Sequence, residues 1–309
     1  MDSPYAAISG LEDTVGLHRV LHGRLHLPRN AADAVVRTVK YGLNPAQASI
    51  RRRLAQRIAA GAAPGERIAE DKGHLAFAPG YFPGAAAAFD RARARFAELS
   101  ADGTIEETQR TAKKQFLLSV INGAAFLDYP EILSFMISRP VVDLASIYMG
   151  AVPVLSSARL WWTPPNDSEQ QSQLFHRDGE DDRQIKFFFN LFDVTEQMGP
   201  LTFLSADVSE SVKRNLGYNA GKVTDQAIDD AGGRGNHIVA TGPAGGGVAL
   251  DTSRCLHYGS RHNTVGRLIL MFQFTSFYAP KAERIPWADG IGRTGLGPDE
   301  VQKLVLGLA

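Results

Sequence analysis

The chain has 309 residues, 44% of them hydrophobic, with 33 basic and 33 acidic side chains and a formal net charge of zero. That is enough apolar material for one large domain, and the balanced charge offers no electrostatic case for nucleic acid or for an anionic membrane surface. A single cysteine, Cys255, excludes an intrachain disulfide framework and a cysteine-rich zinc module, and is compatible with a reducing cytoplasm.

The opening MDSPYAAISGLEDTVG lacks the basic start and apolar stretch of a signal peptide. No run is expected to reach the ~18 apolar residues of a membrane helix. The expectation is a soluble, cytoplasmic protein. LHRVLHGRLHL places His18, His22 and His26 four apart on one helical face, a spacing that can bind zinc. Gly23 interrupts that face and no carboxylate joins it, so surface or packing histidines are the better reading.

Residues 30 to 150 are rich in Ala, Arg, Leu and Glu at helical spacing. Helices are predicted over 31–43 and over 44–62, the second with Asn44 as its cap and Pro45 in its first turn. Further helices are predicted over 84–103, over 104–123 with a stop at Gly123, and over 129–150, interrupted near Pro140 and stopped at Gly150. The basic stretch IRRRLAQR, 50–57, reads as a solvated helix face. This helical N-terminal segment, 1–149, is expected to pack on the second half of the chain.

Past residue 153 the texture turns to β. VLSSARLWW, QIKFFFNLF, LTFL, GGGVALDT and RLILMFQFTSFY are short and rich in aromatic and branched residues, and turn signals bound them. Apolar residues on both faces of the strand near 185 predict a sheet covered on both sides. The predicted class is therefore mainly β with helical covering. Many short strands at this spacing suggest a sandwich, barrel or jelly roll over about 150–280, with a C-terminal tail or helix over 281–309. The polar, Gly-rich segment 205–240 reads as a long loop, a lid or binding element.

QLFHRDGEDDR carries the chemistry. Side chains two apart on an extended chain share a face, so His176 and Asp178 aim at one point. Two ligands leave a metal under-liganded, and two histidines with one carboxylate are the set that holds non-haem Fe(II). His257, at the end of GGGVALDTSRCLH, is the distant histidine that completes it. Ten residues on, Arg267 opens the apolar strand RLILMFQF; burial there is costly unless an anion meets its planar fork, such as the carboxylate of a bound ligand. Arg159 lies on an earlier strand, open to a bound ligand or to a carboxylate from the helical half. Asn190 and Lys186 lie on the polar side of KFFFN. Phe187 to Phe189 read as core, and one of Trp161 and Trp162 is expected to face the pocket or a helix. Thr252 and Ser253 read as turn residues, Cys255 as a small buried hydrophobe, and His262 as exposed. Glu180, Asp181 and Asp182 read as solvated or lid charges.

HRD, the distal HYGSRHNTVGR and the linking FDVTEQMGPLTFL together resemble the phytanoyl-CoA dioxygenase family of Fe(II)/2-oxoglutarate oxygenases, over about 128–278. The resemblance implies a double-stranded β-helix (jelly-roll, cupin-like) core over about 150–280, in which His176, Asp178 and His257 bind Fe(II) and Arg267 anchors the far carboxylate of 2-oxoglutarate. It leaves Arg159 open to 2-oxoglutarate, to substrate or to a carboxylate from the helical half, with Asn190 and Lys186 as further cosubstrate candidates. It also implies that O2 is consumed, that succinate and CO2 are released, and that a small-molecule substrate is hydroxylated. Asp178 favours hydroxylation over halogenation. Where the family often has P-G-S-H this chain reads LSADVSES, which puts the substrate class in doubt and leaves the metal site alone. A cupin-type metal enzyme without 2-oxoglutarate, and a non-catalytic jelly-roll binding module, stay as alternatives. No nucleic-acid or membrane partner is expected, and the oligomeric state is not addressed by the pattern.

Overall fold

The computed structural model describes residues 13–63, 67–218, 220–282 and 284–309. The expectations for residues 1–12, and for Asn219 within the 205–240 segment, lie outside them.

Helices α1 (Asp13–Arg19), α2 (Arg29–Leu43) and α3 (Pro45–Gly61) come first. Pro45 suits the first turn of α3, where its missing N–H would have had no partner. Asn44, expected as the cap, makes no side-chain cap bond. Its backbone at φ −139°, ψ 57° forms a turn between two helices, and its carbonyl accepts from the Tyr278 hydroxyl at 2.6 Å. The reading of 50–57 as solvated fails at Arg51, which is 2% exposed. Its guanidinium donates to the carbonyls of Val152, Pro153 and Leu304, joining α3 to the β half and to the C-terminal helix.

β1 (His74–Phe77), α4 (Ala85–Ala101), α5 (Thr104–Thr111) and β2 (Leu118–Asn122) follow. The helix expected over 104–123 therefore stops at Thr111, and its apolar end is a strand. Leu118–Asn122 is short and apolar, a pattern that periodicity alone cannot assign, and the open edge of β3 decides it. α6 (Pro130–Met136) and α7 (Arg139–Met149) come next, and Gly150 at φ 67° ends the pair. By length and composition alone, Pro130–Met149 is long and apolar enough to cross a membrane, which corrects the expectation that no run is. Its apolar side chains, among them Ile132, Leu133, Met136, Val141, Val142 and Ala145, lie in the main core.

The β half supplies β3 (Val154–Thr163), β4 (Gln184–Asn190) and β5 (Thr202–Phe203). After them come α8 (Ala206–Leu216), α9 (Asp225–Ile228), β6 (Ile238–Val239) and β7 (Gly247–Leu250). β8 (His257–Tyr258), β9 (Arg267–Thr275) and α10 (Glu300–Val305) close the chain. Segment 205–240 is thus not a loop throughout. Ala206, Ser209 and Val212 turn one face of α8 inward at helical spacing, and Gly217 at φ 61° stops it.

The architecture is mixed helix and antiparallel sheet. A six-stranded sheet runs β1-β7-β4-β9-β3-β2 and a three-stranded sheet runs β6-β5-β8. Residues from before 150 supply both edge strands of the larger sheet. One face of that sheet carries Phe187 and Phe189 of β4 with Leu268, Leu270, Phe272 and Phe274 of β9, packed under α4, α6 and α7. Phe189 lies 5.1 Å from Phe135 and 5.3 Å from Phe89, ring to ring. Each such buried side chain contributes about 1.5–3 kcal/mol. The alternate residues, Lys186, Phe188, Asn190, Arg267 and Ile269, face a cavity on the side of the smaller sheet. Period-two alternation therefore divides the strands between core and site.

Candidate metal centre and its cavity

His176 and His257 form an antiparallel bridge. Each backbone N–H donates to the other's carbonyl at 3.0 Å, which sets the two rings side by side with centroids 4.4 Å apart. Asp178, two residues on, donates its N–H to the Thr252 carbonyl at 2.8 Å and turns its carboxylate to the same point. One potential ligand atom from each of the three residues lies within 4.8 Å of the other two.

The partners fix the tautomers. His176 Nδ1 lies 2.9 Å from the Leu174 carbonyl and His257 Nδ1 lies 3.0 Å from the Cys255 carbonyl. A carbonyl only accepts, so each Nδ1 carries the proton and each Nε2 keeps a lone pair. His176 Nε2 is 3.7 Å from Asp178 Oδ1, and His257 Nε2 is 3.6 Å from Asp178 Oδ2. These are long for hydrogen bonds, but ligands about 2.1 Å from one ion lie roughly 3–4 Å apart.

Burial pushes the His176 imidazole down to about 3, with the His257 ring adding to the effect. Burial also lowers His257. Both rings are neutral, the form that binds a metal. Burial alone would raise the Asp178 carboxyl, but the Lys186 ammonium beside it holds it below the usual carboxylate range. Lys186 Nζ sits 2.7 Å from Asp178 Oδ2. Burial disfavours the ammonium, yet Asp178 and Glu180 offset this and raise its pKa.

The cavity beside the His176, Asp178 and His257 side chains measures about 620 Å³, and Trp161, Phe188, Tyr258, Lys186, Asn190 and Arg267 are among its walls. Arg267 is 8% exposed. Its guanidinium donates to Ser260 Oγ at 3.1 Å, and that hydroxyl lies 3.0 Å from Thr163 Oγ1. Its Nε has no partner, and no carboxylate lies within ion-pair distance of it among the described residues. Burial lowers its pKa to about 10, so it remains charged near neutrality. A buried cation without a counter-charge is costly, and one facing a cavity is arranged for an anion that enters it.

The structure thus brings His176, Asp178, His257, Arg267 and Asn190 to one cavity. Asn190 donates to the Gly242 carbonyl at 3.3 Å. Arg159 lines an adjoining chamber instead, donating to Ser119 Oγ at 3.3 Å. Trp161 faces the cavity, whereas Trp162 packs on Phe96 at 4.7 Å. Phe187 and Phe189 are core, as expected, and Phe188 lines the cavity. Thr252 Oγ1 accepts from Gln184 at 2.8 Å, and Ser253 donates to Asp251 at 2.6 Å. Cys255 is fully buried against Gly73 and Ala206, and burial pushes its thiol up. His262 is exposed and bonds Asp167 at 2.8 Å. His18 does meet a carboxylate, Asp33 of α2 at 2.8 Å, while His22 bonds the Leu27 carbonyl. Of the acids after Asp178, Asp181 is buried, accepting from the Ser276 N–H at 2.7 Å and pairing with Arg37 at 2.8 Å, which corrects the solvated reading. Sequence reasoning missed Thr163, Ser260, Lys114 and Lys222 as cavity residues. Thr163 follows Arg159 and Trp161 at strand period, the one signal that could have placed it.

No family model matches the chain, and no curated protein matches it. Solved structures similar to it include EctD from S. alaskensis in its apoform, at 15% identity over 71% of this chain and 79% of that one, TM-score 0.48. The epimerase SnoN in complex with Fe3+, alpha ketoglutarate and nogalamycin RO is 17% identical over 80% and 93%, TM-score 0.47. The non-heme alpha ketoglutarate dependent carbocyclase SnoK from nogalamycin biosynthesis is 15% identical over 74% and 88%, TM-score 0.49. Likenesses this distant carry no residue's role across.

Proposed function

We propose that the chain is a cytoplasmic Fe(II)- and 2-oxoglutarate-dependent oxygenase that hydroxylates a small molecule. In this reading 150–280 is a double-stranded β-helix core of the kind the phytanoyl-CoA dioxygenase resemblance implies, with 1–149 packed on it and 281–309 as its C-terminal extension. The observation that carries the reading is Arg267, a buried guanidinium without a carboxylate partner among the described residues, in the cavity that also receives His176, Asp178 and His257.

His176 Nε2, His257 Nε2 and an Asp178 oxygen would hold the iron on one face. The Leu174 and Cys255 carbonyls fix both imidazoles in the ligating tautomer. Arg267, steadied by Ser260 and Thr163, would receive the C5 carboxylate of 2-oxoglutarate. Asn190 lines the same cavity and would contact the cosubstrate. Trp161, Phe188 and Ile269 keep the cavity wall apolar and limit water. When bound, the iron with 2-oxoglutarate and O2 supplies the oxidising chemistry, with succinate and CO2 as co-products. A metal enzyme that dispensed with 2-oxoglutarate would need an anionic substrate of its own to meet Arg267.

The test is succinate release from 2-oxoglutarate under air with Fe(II), which such enzymes perform slowly without their primary substrate. Formation that needs iron and disappears in His257→Ala supports the reading. No succinate, or succinate made equally without iron, removes it.

A further inference from the structure

A second chamber of about 490 Å³ adjoins the metal cavity. The two share Lys114, Leu117, Trp161 and Lys186 as common walls. Arg159 reaches only the second chamber, and Arg267 only the first. The register of β3 on β9 separates them. Thr163 pairs with Arg267, and Arg159 pairs with Met271, four residues further along. At about 3.3 Å per residue the two arginines are rooted roughly 13 Å apart on one sheet face.

The charges of the second chamber do not cancel internally. Of its cations, Lys186 is committed to Asp178 at 2.7 Å and Lys281 to Asp33 at 2.9 Å. Glu180 also lines the chamber and accepts from Gln184 at 3.2 Å. That leaves Arg159 and Lys114 against one carboxylate. Neither has a carboxylate within ion-pair distance among the described residues; the Arg159 side chain makes one bond, to the Ser119 hydroxyl. Ser157 adds a hydroxyl to the same walls, where the Ser156 hydroxyl donates to the Gln273 carbonyl at 3.4 Å. Lys222, in the metal cavity, is a further cation, and Asp178 is the carboxylate nearest it in effect.

We propose that the primary substrate carries an anionic group, a carboxylate or a phosphate, seated in this side chamber on Arg159 and Lys114, while its reacting carbon reaches past Trp161 toward the three ligands. Arg159 is then a substrate-binding residue and leaves 2-oxoglutarate to Arg267. The proposal rests on the oxygenase reading for the word substrate. The anion site itself does not.

The test uses three ligands of one shape: 1-naphthaleneacetic acid, 1-naphthaleneacetamide and 1-naphthyl phosphate. Each is measured by equilibrium dialysis against the full chain with 2-oxoglutarate present. The wild type should bind an acid at least about tenfold more tightly than the amide, and the tighter of the two acids identifies carboxylate or phosphate as the source. Arg159→Gln should erase that preference and leave amide binding unchanged. Lys114→Gln, at an exposed position that tolerates change, should weaken the acid several-fold, and Arg159→Lys should restore part of it. The affinity for 2-oxoglutarate should not move in any of them. No preference for an acid in the wild type, equal loss for acid and amide, or weakened 2-oxoglutarate in Arg159→Gln would each overturn the proposal. Acid selectivity with no iron-dependent succinate release would keep the anion site and sink the oxygenase reading.

Discussion

Lys186 Nζ lies 2.7 Å from Asp178 Oδ2, the oxygen that also faces His257 Nε2 at 3.6 Å. The carboxylate offered to a metal is therefore already shared with a buried ammonium. A cation bound by the three ligands competes electrostatically with Lys186 for Asp178. Breaking a buried ion pair by removing one partner costs on the order of 3 kcal/mol. Lys186→Met should therefore lower the melting temperature of the metal-free protein. Added Fe(II) or Co(II) should then raise it more in the variant than in the wild type, because the metal alone neutralises Asp178. Equal metal-induced shifts in the two proteins would show that Lys186 does not compete at the site.

Arg267 makes the opposite prediction for stability. Its guanidinium is buried with one hydroxyl partner and no counter-ion among the described residues. Arg267→Met should leave the melting temperature unchanged or raised. The apparent KM for 2-oxoglutarate should rise by about 30- to 150-fold, matching the loss of roughly 2–3 kcal/mol of charge-assisted bonding. An unchanged KM would mean that another residue anchors the acid.

Lys40 of α2 gives a pH dependence remote from the ligands. Its ammonium is 2% exposed and donates to the Ala279 carbonyl. Burial, with Arg284 nearby, lowers its pKa to about 8 from 10.5. The unfolded chain thus holds the proton more tightly than the folded one. Stability attributable to this residue is full above pH 10.5 and is lost as the pH falls through about 8. Lys40→Met should stabilise at pH 7, and the difference from wild type should shrink as the pH climbs from 8 to 10. Denaturant titrations at pH 7 and pH 10 check this; a constant difference would contradict it.

Gly247 lies where β7 passes between β1 and β4. A Cβ there would stand 2.0 Å from the Phe188 carbonyl oxygen and 3.0 Å from the Phe77 ring. The first of these is backbone and cannot swing aside. Gly247→Ala should cost about 1–3 kcal/mol or more through overpacking. It should also disturb Phe188 in the cavity wall. Wild-type stability in a urea titration would show that β7 has room this geometry denies it.

The candidate metal ligands were legible from strand spacing joined to the family resemblance, since H-x-D alone also fits a charged surface turn. An H-x-D on extended chain puts two side chains on one face, and a histidine at a second strand end brings the third. Arg267 was legible as a charge opening an apolar strand. The cationic walls of the cavity and of its side chamber were not, because Lys114 and Lys222 come from connecting segments whose positions no periodicity encodes. β2 was hidden because Leu118–Asn122 is too short for its period to be read, and its partner β3 lies some forty residues on. Segment 205–240 read as a loop from its glycines and polar residues, although Ala206, Ser209 and Val212 already held a helical stripe. The ion pair of Lys186 with Asp178 joins residues eight apart around a turn that local pattern does not define.

The central claim is that His176, Asp178 and His257 hold iron while Arg267 holds 2-oxoglutarate in the same cavity. The most direct measurement is the visible spectrum of the purified protein with Fe(II) and 2-oxoglutarate in the absence of O2, with His257→Ala alongside. The expected result is a weak metal-to-ligand charge-transfer band in the wild type, titrating with both components and lost in the variant. A folded wild type that shows no band, or a band that survives in His257→Ala, would contradict it.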